Sequence, residues 1–307
     1  MMNKQDASRT TLNVTAKMNA ATKALLLGAV MSSSLAGASA VYAAGDKGDV
    51  TLAYVEWSSE VASTNVVKAV LESQGYNVEL KALSAAAMFQ AVAFGDADGM
   101  VGAWLPTTHE DYMAKIADKV DDLGVNLEGT KLGLVVPSYS KLETIDDIKT
   151  HAEDIDERIV GIEPGAGLTR LTEQVLEDYD LEDIDLTTGS GATMTAALSN
   201  AIKGEREIVV TGWTPHWMFA RWDLKYLDDP KGVYGGAEEI HTLARKGLEE
   251  DMPEVYAILD NFAWTPADMG EVMLNNQEDD ADPYETAKAW VESHQDIVKE
   301  WLPAAAE

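Results

Sequence analysis

The sequence predicts an α/β protein of two similar halves, and three observations carry that expectation. From residue 50 onward, short apolar strand-like runs alternate with segments of helical periodicity. The βαβαβ pattern this produces occurs twice. Each occurrence ends on a Trp-x-Pro tripeptide, Trp104-Leu105-Pro106 in the first half and Trp213-Thr214-Pro215 in the second.

In the first half, Val50–Val55 suits a buried strand, and Ala62–Gln74 a helix with Val66, Val67, Val70 and Leu71 at helical spacing and Gly75 as its stop. Val78–Leu83 reads as the second strand, Ala85–Phe94 as a helix ended by Gly95, and Met100–Ala103 as the third strand. The second half repeats the order: strand Arg158–Ile162, helix Leu168–Tyr179, strand Ile184–Thr188, helix Ala192–Lys203, strand Glu207–Thr211. Such units give parallel sheets covered by helices, and their recurrence reads as an internal duplication. Open α/β sheets bind ligands at the carboxyl ends of their strands, so two facing lobes share one cleft. Lys131–Pro137 and Ile240–Arg245 each carry the chain between lobes, as a two-strand hinge. Met252–Trp301 is helical, with Thr265 as an N-cap, Pro266 at the first helical position and Asp268 at the third. The acidic stretch Glu278–Pro283 lacks the glycine and the Glu spacing of a calcium loop and reads as a solvated turn.

Composition narrows the function. The chain has 307 residues, 46% of them hydrophobic, enough for two domains or two lobes. Asp and Glu number 53 against 23 Lys and Arg, a formal charge of -30. Such a surface repels phosphate backbones and anionic lipid, which excludes nucleic acid and membrane surfaces as partners. It suits a high-salt habitat, where self-repulsion is screened. There is no cysteine, so disulfides, thiolate nucleophiles, thiolate metal sites and a lipidated export cysteine are all excluded. Residues 1–43 read as a signal peptide: Lys4, Arg9, Lys17 and Lys23 form a basic start, an apolar stretch follows, and Val41-Tyr42-Ala43 places small residues around a cleavage point near Ala43. No later window is apolar for the ~18 residues of a membrane span, so the expected product is exported and has no membrane anchor.

The residues with chemistry to offer are tryptophans at strand ends. Trp57 follows the first strand, Trp104 the third, and Trp213 the equivalent strand of the second half. A single tryptophan is ordinarily core. Three at cleft-facing strand ends form indole walls that attract a cation without a counter-charge, and a quaternary ammonium is the ligand such a box discriminates best. Trp217, Trp222, Trp264, Trp290 and Trp301 fall on helical or loop spacings and are assigned to packing. Gly161–Leu168 is a strand, a glycine-rich turn and a helix start, an arrangement whose free N–H groups bind anions. It has no Lys and is too short for a nucleotide loop. His109 could donate to a carboxylate, with His216 as its rival. No nucleophile elbow, zinc motif or histidine cluster supports an enzyme.

At these residues the sequence resembles a known family. Tyr54–Asn65, Ala103–His109, Gly161–Leu168, Thr211–Phe219 and Gly235–Thr242 look like the OpuAC-type glycine betaine-binding proteins. The resemblance implies a two-lobed type II periplasmic-binding fold, two Rossmann-like lobes with a ligand cleft, serving an ABC importer. It implies a cation cage of Trp57, Trp104 and Trp213, and a carboxylate site made by His109 and the amides of Gly167 and Leu168. It implies glycine betaine as ligand, a membrane permease as partner, no cofactor and a periplasmic location. Another osmolyte (proline betaine, carnitine or dimethylsulfoniopropionate) is the alternative, and an exported enzyme acting on such compounds a further one. Residues 46–134 with 241–301 form one lobe and 135–240 the other. The order of the halves is circularly permuted relative to Bacillus-type members, a change that leaves the cleft intact.

Overall fold

The computed structural model describes residues 47–303; the expected signal peptide and its cleavage point near Ala43 lie outside them. The first half contributes β1 (Asp49–Tyr54), α1 (Ser58–Ser73), β2 (Asn77–Ala82), α2 (Ala85–Phe94), β3 (Gly99–Leu105) and α3 (Glu110–Ile116). β4 (Val120–Pro137) leads through the one-turn α4 (Asp147–Thr150) into the second half. That half holds β5 (Arg158–Gly161), α5 (Gly167–Asp178), β6 (Asp185–Thr188), α6 (Gly191–Lys203), β7 (Val209–Thr214), α7 (Met218–Arg221) and β8 (Leu224–Tyr226). β9 (Glu238–Arg245) brings the chain back, and α8 (Leu248–Asp251), α9 (Pro253–Asn261), α10 (Pro266–Asn275), α11 (Pro283–Ser293) and α12 (Gln295–Trp301) follow.

The strands lie in the order β2-β1-β3-β9-β4-β7-β5-β6, with β8 on β4. The outer triplets β2-β1-β3 and β6-β5-β7 are parallel, as the βαβαβ units require. The expectation of parallel sheets ends there. β9 runs antiparallel to β3 and to β4, and β4 runs antiparallel to β7 and β8. β9 and β4 thus lie as an antiparallel pair between the two parallel triplets and join them into one continuous ladder.

β4 belongs to both halves. It pairs with β9 through Thr130 and with β7 from Lys131 onward. The crossing therefore falls a few residues before the lobe boundary read from the sequence, and β9 likewise enters its sheet at Glu238. Residues 120–130 carry no apolar run. Gly124 and Gly129 sit at positive φ, and the ladder shifts register three times, so this half of the strand left no periodic signal.

α1 also begins earlier than its apolar spacing indicates, directly after Trp57. Its first turns bury small polar side chains, Ser59, Ser63 and Thr64, together with Glu60, and these have no hydrophobic periodicity to read. α2 stops where expected, on Gly95 in the left-handed conformation at φ 78°. Thr265 caps α10 in a reciprocal capping box with Asp268. In the acidic turn, Asp282 accepts from the amides of Tyr284 and Glu285 and caps α11. Trp264, Trp290 and Trp301 pack with Phe262 among the C-terminal helices, Phe262 meeting Trp301 edge-on at 4.9 Å.

Candidate functional site

β1 and β3 deliver Trp57 and Trp104 to one side of a cavity between the two sheets. β7 delivers Trp213 to the other. Trp104 and Trp213 are the penultimate residues of their strands rather than the residues after them, while Trp57 is the N-cap of α1. The cavity measures about 300 Å³ including its mouth. Ser59, Thr108 and His109 complete the first wall; Leu132, Ile162, Ala166, Gly167 and Leu168 complete the second. All six residues singled out from the sequence therefore line one space. Trp217 and His216 do not.

His109 is fully buried. Its Nδ1 accepts from the backbone N–H of Trp104 at 3.0 Å, and its own N–H donates to the Trp104 carbonyl at 2.9 Å. An accepting Nδ1 fixes the tautomer with the proton on Nε2. Burial, assisted by the nearby Arg170 charge, pushes its pKa down to about 3, so the ring is neutral. Nε2–H has no partner among the described residues, and neither do Ser59 Oγ or the Trp213 indole nitrogen. Buried donors of this kind cost ~1–3 kcal/mol each when unpaired. His216, the rival, has both nitrogens engaged: Nδ1 accepts from Met218 N and Nε2 faces Ser58 Oγ at 3.4 Å.

The loop bearing His109 is held from below. Glu238 of β9 is buried and accepts from the amides of Thr107 (2.6 Å) and Thr108 (2.7 Å) and from the Thr108 hydroxyl. On the opposite side α5 begins at Gly167 with no side-chain cap on its N-terminus. Its first amides have no intrahelical partner and carry the positive end of the helix dipole. Gly167 lies so close to the facing loop that a Cβ there would sit 2.2 Å from the Thr108 carbonyl oxygen.

Further bonds cross the cleft, and of the residues that make them sequence reasoning had placed only Trp57 at the site. The Trp57 indole donates to Glu163 at 2.5 Å, Tyr112 donates to the Gly165 carbonyl at 2.6 Å, and Arg170 donates to the Thr107 carbonyl at 3.1 Å. The Trp217 indole donates to Ser58 Oγ at 3.2 Å. Glu60 is buried, with Oε2 accepting from Val55 N at 2.7 Å. Burial first, with the Glu163 charge adding to it, holds its carboxyl well above the usual carboxylate range. The pair Ser58-Ser59, small and polar directly after a strand, was the one available signal for this network.

No lining residue carries a charge. A cation here must be held by ring faces, and an anion by N–H groups. A family model described as the substrate-binding domain of the ABC-type glycine betaine transport system, OpuAC, matches residues 48–293. The chain belongs to this family. Over 162 residues this OpuAC-family chain is 52% identical to the glycine betaine/carnitine transport binding protein GbuC of Listeria monocytogenes. That alignment covers 52% of the chain and 54% of the relative, about half the length of each. Lactococcal OpuAC, crystallised closed with glycine betaine, superposes with a TM-score of 0.80 at 47% identity, covering 83% of this chain and all of that one. The glycine betaine/L-proline-binding protein ProX of Borrelia burgdorferi gives 0.81 at 40% identity over 83% and 97%. The fold of this OpuAC member is thus the two-lobed type II periplasmic-binding fold. Among the described residues no helix is long and apolar enough to cross a membrane.

Proposed function

We propose that the protein is the extracytoplasmic receptor of an ABC importer and that it closes two lobes on glycine betaine. The observation that carries this reading is an uncharged cavity walled by three indoles from both lobes, with a neutral histidine's Nε2–H unpaired inside it. Trp57, Trp104 and Trp213 hold the trimethylammonium by their ring faces, each contact worth about 2 kcal/mol when desolvated. His109 Nε2–H and the amides of Gly167 and Leu168 hold the carboxylate. On this reading the site binds and releases its ligand unchanged, as a receptor of this family does. The lobes we take as 46–134 with 241–301, and 135–240, hinged on β4 and β9.

The exported protein acts in the periplasm after cleavage near Ala43 and delivers its ligand to a membrane permease. All three relatives named above support a betaine; one adds carnitine and one L-proline. The permuted order of the halves is our reading of why so close an identity stops after 162 residues, since a collinear alignment can hold only one order. Calorimetric titration with glycine betaine and choline tests the function. Betaine should bind about tenfold to a hundredfold more tightly, because choline strands the carboxylate donors, and the ligand should be recovered unchanged. Turnover, or equal affinity for both, would sink the reading.

A further inference from the structure

Glu163 lies behind the cage rather than in it. It is half-buried in the glycine-rich turn, does not line the cavity, and accepts the indole N–H of Trp57 from the opposite lobe. The turn that presents it is fixed: Thr169 Oγ1 donates to the Glu163 carbonyl at 2.9 Å, and Ala166 N donates to the same oxygen at 3.3 Å. Trp57 is fixed as well, stacked on His109 with centroids 5.7 Å apart and planes 18° from parallel.

We propose that Glu163 determines specificity for a charged headgroup: its carboxylate polarises the Trp57 indole toward the bound cation and, by bridging the lobes, makes that polarisation available only when the cleft is shut. A carboxylate that accepts an indole N–H pushes electron density into the ring and makes its face more negative. Its full charge also attracts the cation directly through a poorly screened interior. Placed inside the cavity, the same charge would repel the ligand's own carboxylate. Placed behind Trp57, it acts on the cationic end alone, while the anionic end faces the start of α5. The bond spans the cleft, so an open receptor presents an unpolarised Trp57 and a closed one a strengthened face.

This inference rests on the betaine reading, and its test separates the two. The probes are glycine betaine and 3,3-dimethylbutyrate, which has the same shape and carboxylate but a neutral tert-butyl group in place of the trimethylammonium. Glu163→Gln keeps an acceptor for the indole N–H and removes the charge. It should weaken betaine about tenfold and leave dimethylbutyrate binding as well as before or better, with the apo melting temperature as in wild type. Glu163→Ala removes the bridge as well and should weaken both ligands. A Gln variant that weakens both ligands equally, or neither, overturns the inference while the betaine reading stands. A wild type that does not bind betaine overturns both.

Discussion

Replacing Gly167 by alanine should abolish ligand capture while leaving the unliganded protein as stable as before. The added Cβ meets the Thr108 carbonyl oxygen at 2.2 Å, Thr108 Cγ2 at 2.6 Å and Thr108 C at 2.9 Å. Ordinary contact needs about 3.4 Å, so the two walls must part by roughly 1 Å at this point. Thr108 cannot retreat, because Glu238 holds its amide and hydroxyl and the amide before it. The lobes therefore stop short of closure. Trp213 stands away from the cation and the α5 amides from the carboxylate. Loss of one cation–π contact at about 2 kcal/mol and weakening of two charge-assisted hydrogen bonds at about 1.5–3 kcal/mol each amounts to at least a hundredfold in Kd. Folding has no such penalty: Gly167 is the first residue of a helix, where alanine is favoured by up to ~1 kcal/mol. Tryptophan fluorescence titration with glycine betaine, paired with thermal melting of the apo form, checks both halves. A variant that binds within threefold of wild type would refute the argument, since the closed geometry would then not be the binding geometry.

Trp57→Ala, Trp104→Ala and Trp213→Ala should each weaken betaine by roughly thirtyfold or more, whereas Trp217→Ala, whose ring lies outside the cavity, should not; calorimetry showing the reverse would move the cage. Betaine affinity should stay flat from pH 8 to pH 5, because His109 is neutral throughout; its pKa is pushed down to about 3. For stability the sign runs the other way. His216, also pushed down to about 3 by burial, takes up its proton on unfolding, so stability present above about pH 6.5 falls as pH drops, by about 1.4 kcal/mol per pH unit. His109 carries the same shift and the same sign, so His216→Asn should reduce the acid slope of the melting temperature between pH 6.5 and pH 4 without abolishing it, and an unchanged slope would count against it. Glu60 has the opposite shift, its carboxyl raised by burial, so its contribution is lost as pH rises above its unfolded value. Glu60→Gln, which retains an acceptor for Val55 N, should melt higher than wild type at pH 8 and level with it at pH 4; a variant less stable at pH 8 would contradict that.

The strands, the helices and the three cage tryptophans were legible because each rests on a local signal. Apolar runs mark β1 and β3, Gly95 marks the end of α2, and Thr265 marks the start of α10. The antiparallel hinge was only half legible. Lys131–Pro137 is apolar, but the preceding stretch is polar and bulged, and what holds it is its ladder with β9 rather than its own composition. The site showed the same divide. His109 and Trp104 are five residues apart and could be paired by eye. Glu163 and Trp57 are 106 apart, on different lobes, and no spacing rule connects them. Glu238, which holds the histidine loop, falls just outside the Ile240–Arg245 run and was not singled out for the same reason.

The position of β9 between β3 and β4 sets the order in which the molecule can be assembled. Until residue 245 has emerged from the ribosome, β3 and β4 have no strand to join them, and both face solvent as open edges. α1 must also wait, because α10 and α11, which pack against it, come later still. The second half closes its own sheet from contiguous chain, yet it borrows the far end of β4 and cannot settle independently of the first. A nascent chain of this design should join its two sheets only once β9 is available, late in synthesis. Fragments ending before Glu238 should accordingly be recovered as aggregates, and supplying residues 238–303 as a separate chain should restore a soluble pair.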